Sequence, residues 1–331
     1  MAWLGAFGAA PGTLGDMDGA VPLARRRAEL ETRRAQLRAV ADGGALVRFE
    51  RAAACVEPAL TALGLTDLGP LYGSPLSANV LRRVRTRDGV LAVLKLAGNG
   101  DVGEATTLAA WTAAGVNAVP LLDYGLGRWV PQVVHLLLAA VDGGPLPHSE
   151  MAAWTTPVVV TLASAHLPAP TGVRPLAEML APRLGAASQV WEQAGLGTPP
   201  NILDRVSRSG DATLLHGDPV GMNLLVGRDR VWLLDPAGVE GPAEFDAGRW
   251  VARSLAVAGP TALAPLLDTA LRADPALRPE VLALCAAVEL VLEVRHRVTS
   301  PRMFVSLGAA ADTFDADTRA LVDAARELAS T

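Results

Sequence analysis

The chain has 331 residues, of which half are apolar and 19% are charged, and this composition indicates a globular protein and excludes a disordered one. The formal net charge of −5 argues against a nucleic-acid partner and favours a cationic one. No apolar run reaches the length that a bilayer requires, so we expect no membrane partner.

The first two elements are predicted to be helices. Residues 23–41 form a charged segment with an apolar stripe, which predicts a helix packed on the main body. A second helix is predicted from Val47 to Leu63. Cys55 in this helix and Cys285 are the only cysteines, and we expect both to be reduced and buried. Together with the lack of a recognisable secretory signal, this favours a cytoplasmic protein.

A β-hairpin is predicted next. Residues 70–96 contain two strand-like runs joined by Arg87-Asp88-Gly89, and Asp-Gly between β-prone runs is a strong hairpin signal. The second run contains Lys95, the only lysine of the chain. The lysine ammonium is a compact point charge, whereas the arginine guanidinium is planar and has several donors. One lysine in a chain that otherwise uses arginine therefore indicates a specific role for that lysine.

Beyond the hairpin, a helix is predicted from about Val102 to Gly115, and strands are predicted at residues 118–123, 129–131 and 133–140. The sequence Asp-Gly-Gly-Pro at 142–145 indicates a linker. Helices dominate from Met151 onward, apart from a β-like segment at residues 213–235. This order predicts an α+β protein of two lobes, in which an antiparallel sheet with one helix precedes a mainly helical lobe. The expected domains are an N-terminal extension and helix at 1–45, a first lobe at 46–141 and a second lobe at 142–331.

The most informative segment runs from Leu214 to Asp246. His216-Gly217-Asp218 lies in a loop, Asn223 follows five positions after Asp218, and two short strands joined by a tight turn lead to Asp235. Phosphoryl transfer from a nucleotide requires a carboxylate that orients the attacking hydroxyl, and oxygen ligands that hold Mg²⁺ on the phosphates. A loop followed by a hairpin can bring these groups together.

This segment resembles the catalytic loop and metal-binding segment of the aminoglycoside phosphotransferase superfamily, whose members have a protein-kinase-like fold. The resemblance implies that Asp218 is the catalytic base and that Asn223 and Asp235 bind magnesium. It also implies that His216 braces the loop and that Asp246 anchors it from the following segment.

The same resemblance extends to the first lobe and implies an ATP site. Lys95 corresponds to the strand lysine that contacts the α- and β-phosphates, and Glu104 to its ion-pair partner. The preceding loop would cover the nucleotide, with cofactor-binding positions at Gly73, Ser74, Ser77 and Asn79. This loop departs from the G-x-G-x-x-G pattern because it has one glycine.

A narrower similarity links residues 73 onward to streptomycin 6-phosphotransferases and the aminoglycoside or hydroxyurea resistance kinases. The similar motifs start at Glu104, Val119 and Leu162, and most of the similar residues lie in the segment 214–246. The chain departs from this group at Pro219-Val220, where Leu-His is common. His166 is expected to pack behind the loop.

The resemblance implies an ATP- and Mg²⁺-dependent phosphotransferase that acts on a hydroxyl of a small cationic molecule, foremost a streptomycin-type aminoglycoside, and confers resistance. Carboxylates that could bind such an acceptor include Glu240 and Glu244, and also Glu289 and Glu293. Two alternatives remain open: a kinase of another metabolite, such as an amino alcohol, a sugar derivative or hydroxyurea, and a pseudokinase that binds ligand without transferring phosphate.

Overall fold

The computed structural model describes residues 20–40, 43–71, 78–208, 212–300 and 314–330. These residues form two compact units: unit 1 contains the described residues up to Val102 together with Leu121–Ala140, and unit 2 contains Gly103–Pro120 and the described residues from Val141 onward. The division expected from sequence differs from these units in two respects. Residues 103–120, which we grouped with the sheet, belong to unit 2, and residues 20–45, expected as an extension, belong to unit 1.

Unit 1 is built on a five-stranded antiparallel sheet with the order β1-β2-β3-β5-β4. The strands are β1 (Thr66–Pro70), β2 (Val80–Arg85), β3 (Leu91–Ala97), β4 (Leu121–Leu126) and β5 (Val134–Ala139). Arg85 pairs with Leu91 across the turn that contains Asp88-Gly89, so the predicted hairpin is confirmed. The strand predicted at residues 129–131 is wrong, because these residues form bends and a turn.

The sequence predicted two helices before this sheet, at 23–41 and 47–63, and three are present: α1 (Leu23–Val40), α2 (Gly43–Ala54) and α3 (Val56–Leu63). The helix predicted at 47–63 is therefore interrupted at Cys55, which is buried and free, as expected. Helix α1 is joined to the rest of unit 1 by Arg26, whose Nε donates to Glu57 at 2.7 Å and whose Nη1 donates to Asp67 at 3.0 Å. The charged segment 23–41 therefore packs on the main body as predicted.

Unit 2 is mainly helical, as predicted from Met151 onward. Its helices are α4 (Gly103–Ala114), α5 (Thr155–Ala165), α6 (Leu176–Gln193), α7 (Leu203–Ser207), α8 (Glu244–Ala258), α9 (Leu263–Ala273), α10 (Pro279–Thr299) and α11 (Phe314–Ser330). Helix α10 lies at the centre of the core and is buried over most of its length, although two of its three glutamates, Glu289 and Glu293, are among the buried residues. None of the described helices is both long and apolar enough to cross a membrane.

Short strands hold the segment of interest within unit 2. They are β6 (Gly144–Pro145), β7 (Arg174–Pro175), β8 (Thr213–Leu215), β9 (Leu224–Val226), β10 (Val231–Leu233) and β11 (Val239–Gly241). Strands β9 and β10 form the predicted hairpin, while β11 lies between β7 and β8. The loop from 216 to 223 therefore leaves one small sheet at β8 and enters another at β9.

Candidate active site

The loop that follows β8 is anchored to the start of α8 by one buried carboxylate. Asp246 accepts the backbone N–H of His216 on one oxygen and that of Gly217 on the other, both at 2.8 Å. The His166 Nε2 lies 3.3 Å from the same carboxylate. Asp246 is fully buried, so each of these interactions replaces a bond to water that the carboxylate has lost.

The backbone of the loop requires a glycine at position 217. Gly217 has φ of +72°, a left-handed conformation that side chains disfavour. A Cβ atom at this position would also lie 2.8 Å from the Val239 Cγ2 and 3.0 Å from the Ala237 Cβ. The sequence His-Gly-Asp therefore turns sharply where β11 approaches it, and the turn directs Asp218 out of the small sheet.

Asp218 is held by two polar side chains. The Asn223 Nδ2 donates to the Asp218 backbone oxygen at 2.9 Å and to its Oδ2 at 3.2 Å. The Arg249 Nη2 donates to the Asp218 Oδ1 in an ion pair. The Asp218 side chain remains 37% exposed, so a ligand can reach it although both oxygens already have partners.

The protonation states follow from these contacts. Burial raises the pKa of Asp218, but the charge and hydrogen bond of Arg249 outweigh burial, and the pKa lies below its usual value. Burial likewise opposes ionisation of Asp246, but the hydrogen bond from His166 and further interactions lower its pKa. Both carboxylates are therefore ionised at neutral pH.

His216 is neutral. Its ring is fully buried, and this burial lowers its pKa, although Asp246, Asp218 and Asp235 act in the opposite direction. The Asp218 N–H donates to the His216 Nδ1 at 3.3 Å, which assigns the proton of the neutral ring to Nε2. The Trp111 ring lies 5.9 Å from the His216 ring, so α4 supports the loop from behind.

Asn223 and Asp235 lie at the same end of the β9–β10 hairpin. The Leu234 N–H donates to the Asn223 backbone oxygen at 3.0 Å, and Asp235 is the next residue. Asp235 has φ of +57°, which is uncommon for a residue other than glycine and marks a constrained position. Asp235 also raises the pKa of His216, as Asp246 and Asp218 do, so all three carboxylates act on the charge of this ring.

This donor set fits magnesium. In the part of the chain that the structure describes, no group of three or more His, Cys, Asp or Glu side chains could hold a metal ion. Mg²⁺ does not require such a group, because it keeps several waters and uses one or two carboxylates together with substrate phosphates. The Asn223 amide nitrogen is directed to Asp218, which leaves its amide oxygen as a potential ligand, and Asp235 lies at the same end of the hairpin.

The sequence analysis missed Arg249, which lies three residues after Asp246 on α8. Its side chain is 5% exposed, and it pairs with Glu289 of α10 as well as with Asp218. One turn later, the Arg253 Nη1 donates to the Glu293 Oε2 at 2.5 Å. The signal in the sequence was a pair of arginines spaced by four on α8 and a pair of glutamates spaced by four on α10.

The remaining predicted site residues are distributed as follows. Lys95 is buried in β3, opposite Leu81 on β2, and Asn79 immediately precedes β2. Glu104 lies in the first turn of α4, which belongs to unit 2. Gly73, Ser74 and Ser77 lie outside the described residues.

Comparisons with known proteins give a result for the fold alone. No protein-family model matches the sequence, and no curated protein is significantly similar to it. Among solved structures, the chain is similar to the choline kinase LicA from Streptococcus pneumoniae, with a TM-score of 0.54, 14% identity, and coverage of 83% of this chain and 98% of that one.

Two further structures have a TM-score of 0.51. An aminoglycoside phosphotransferase from Alicyclobacillus acidocaldarius subsp. acidocaldarius is 11% identical, over 79% of this chain and 92% of that one. A choline/ethanolamine kinase family protein from Mesorhizobium loti is 17% identical, over 85% and 94%. These neighbours are small-molecule kinases with a kinase-like fold, and at such low identities the likeness establishes that fold for this chain.

Proposed function

We propose that the protein is a small-molecule kinase that transfers the γ-phosphoryl group of ATP to a hydroxyl of its acceptor. The observation that supports this most is the loop from His216 to Asn223, in which an ionised and accessible Asp218 is fixed by Asn223, and the loop itself is fixed by Asp246. A fixed carboxylate beside a set of oxygen ligands suits phosphoryl transfer, where positioning and charge stabilisation provide most of the catalysis.

In this proposal Asp218 accepts a hydrogen bond from the acceptor hydroxyl and orients its oxygen. The acceptor oxygen forms a bond to the γ-phosphorus, the bond from this phosphorus to the β,γ-bridging oxygen breaks, and ADP leaves with that electron pair. The hydroxyl proton passes to Asp218 and then to water. Since Arg249 lowers the pKa of Asp218, this carboxylate is a weak base, and its main contribution is orientation.

The ligands of the metal and the nucleotide are proposed from the same set of residues. Asn223 and Asp235 would hold Mg²⁺, which neutralises charge on the phosphates when it is bound. Lys95 would contact the α- and β-phosphates, with Glu104 as its partner. The loop positions Gly73, Ser74, Ser77 and Asn79 would contribute to nucleotide binding.

The sequence motifs favour a streptomycin-type aminoglycoside as the acceptor. Phosphorylation of such an acceptor would give the protein a role in antibiotic resistance. The names of the proteins with similar structures indicate different acceptors, since one is an aminoglycoside phosphotransferase and another is a choline kinase. We also propose a cytoplasmic location, which the two buried free cysteines support.

The test is incubation with ATP, Mg²⁺ and a mixture of hydroxyl compounds, followed by mass spectrometry for an added phosphoryl group. We expect a phosphorylated product whose rate of formation falls at least about 100-fold in Asp218→Asn. Lys95→Met should raise the KM for ATP. The matched control is Asp229→Asn, which changes an exposed carboxylate in the turn between β9 and β10 and should leave the rate unchanged. ATP binding without any product would instead support the pseudokinase.

A further inference from the structure

A cluster of charged side chains in unit 1 joins helix α1 to the first two strands of the sheet. Asp67 on β1 is 2% exposed and Arg82 on β2 is 1% exposed. The Arg82 Nε and Nη2 donate to the two carboxylate oxygens of Asp67 at 3.0 Å and 2.6 Å, so the pair is bidentate. Because a planar guanidinium bound at two points has a fixed orientation, this pair limits how far β1 and β2 can shift relative to each other.

Helix α1 binds both members of this buried pair. The Arg26 Nη1 donates to the Asp67 Oδ2 at 3.0 Å, and the Arg82 Nη1 donates to the Glu29 Oε2 at 2.9 Å. The Val21 N–H, which lies just before the helix, donates to the Asp67 backbone oxygen at 2.8 Å. The ion pairs of this cluster connect three arginines with three carboxylates, so its charges balance: Arg25, Arg26, Arg82, Glu29, Glu57, Asp67.

The Asp67 carboxylate also shapes the end of β1. Its Oδ1 accepts the Gly69 N–H at 3.0 Å, and the register between β1 and β2 shifts between these two residues, as in a β-bulge. Beyond this shift, the Leu71 N–H donates to the Leu81 backbone oxygen at 3.0 Å. The charged cluster therefore lies where β1 ends and β2 begins, and it fixes the geometry of both.

Two proposed nucleotide-binding positions of unit 1 lie beside these contacts. Asn79 immediately precedes β2, and Lys95 on β3 pairs with Leu81, the neighbour of Arg82. Because side chains alternate along a strand, Arg82 and Lys95 extend to opposite faces of the sheet. The cluster thus holds β2 from the face opposite Lys95, and it can act on a bound nucleotide only through the position of the strands.

We infer that Arg26 and Glu29 of α1 are positioning residues for ATP binding. They act through the buried pair of Asp67 and Arg82, which fixes the strands that lead to the proposed nucleotide-binding side chains. A buried ion pair is weak evidence for a stabilising role, since apolar side chains of similar volume often stabilise as well or better, and this favours a role in geometry. The inference rests on the proposed ATP-dependent function, and it gives the N-terminal helix a part in that function.

The experiment releases α1 from the strands without leaving a buried charge unpaired. Arg26→Gln/Glu29→Gln removes one cation and one anion, while Asp67 and Arg82 still pair with each other. We expect the Kd for ATP with Mg²⁺, measured by calorimetry, to rise about fivefold or more. The KM for ATP should rise equally, whereas kcat and the KM for the acceptor should stay the same, because the variant alters nucleotide binding alone.

The matched control is Arg34→Gln/Glu50→Gln, which removes the same two charges from a contact between α1 and α2. In the wild type, the Arg34 Nη2 donates to the Glu50 Oε2 at 2.7 Å. Urea denaturation measures the stability that each double variant loses, and ATP binding is compared at a temperature at which both are folded. The control should bind ATP as the wild type does. Glu29→Gln alone is a milder variant, and it should raise the Kd in the same direction even if the first double variant does not fold.

The outcomes separate this inference from the proposed function. If the wild type binds ATP and the α1 variants bind it equally well, the ATP site is retained and the positioning role is overturned. Equal weakening in the control variant would also overturn it, because any loss of contact by α1 would then have the same effect. If the wild type does not bind ATP, the proposed function fails, and this inference fails with it.

Discussion

Arg249 and Asp218, which are 31 positions apart, form an ion pair that links helix α8 to the loop after β8. The other end of the same guanidinium pairs with Glu289 on α10, so one buried cation connects the candidate catalytic carboxylate to the central helix of unit 2. The orientation of Asp218 therefore depends on how α8 and α10 pack.

The first prediction concerns this buried network. Arg249→Gln should lower the free energy of unfolding by about 3–5 kcal/mol, because it leaves the Glu289 carboxylate buried without its cation. The double variant Arg249→Gln/Glu289→Gln should recover at least half of that loss, since both buried charges are then absent. Urea denaturation of the wild type and of the two variants measures this, and a double variant no more stable than the single one would contradict the proposed pairing.

The second prediction concerns pH dependence. The folded-state pKa of Asp218 lies below its usual value of 3.8, so the ionised form persists through the neutral and mildly acidic range and is lost only as the pH falls through the lowered value. The acid limb of kcat/KM that Asp218 causes should accordingly lie below pH 3.8. In Arg249→Gln/Glu289→Gln, the limb should move to higher pH, because the cation that lowers the pKa is gone. A limb that stays in place would show that Arg249 does not tune Asp218.

The third prediction concerns the anchor of the loop. Asp246→Ala removes the acceptor of two buried N–H groups, each of which costs about 1–3 kcal/mol when it is left unsatisfied. We expect the free energy of unfolding to fall by about 2–5 kcal/mol and the activity to be lost with the loop geometry. Asp246→Asn keeps one acceptor oxygen, so it should lower the free energy of unfolding by less than Asp246→Ala does. Asp268→Ala, at an exposed ion pair on α9, should change stability by less than about 1 kcal/mol.

The fourth prediction compares two helical glycines. A Cβ at Gly248 would lie 2.7 Å from the Ala286 nitrogen and 2.8 Å from the Cys285 Cβ, so α8 and α10 approach closely beside Arg249. Gly248→Ala should destabilise the protein by about 1–3 kcal/mol, since the helices must separate. Gly185 on α6 has nothing within 4 Å of the same position, and Gly185→Ala should stabilise by up to about 1 kcal/mol. Equal effects in thermal denaturation would contradict the close packing at Gly248.

Local features of the fold were predictable from sequence because they depend on neighbouring residues. The turn at Asp88-Gly89 and the hairpin of β9 and β10 are encoded within a few positions, and both are present. The start and end of α4 were predicted to within one residue of Gly103 and Ala114. The prediction of a strand at 129–131 was wrong, because so short a run of apolar or aromatic residues is found in bends as well as in short strands.

The charged core of unit 2 could not be predicted in the same way. Glu289 and Glu293 were considered as acceptor ligands, because the sequence shows these two acids within an apolar stretch of α10 but not the arginines that face them. Those arginines come 40 positions earlier on α8, and their pairing depends on the packing of two helices. The resemblance indicated Asp246 because the motif includes it, whereas Arg249 lies outside that motif.

The single lysine has a consequence for probing the molecule. A protease specific for lysine has one peptide bond to cut, after Lys95, and this bond lies in β3, the middle strand of the five-stranded sheet. Cleavage requires the chain to leave the sheet, because Lys95 is buried and its strand is paired on both sides. The rate of appearance of two fragments therefore reports the opening of this sheet without any label.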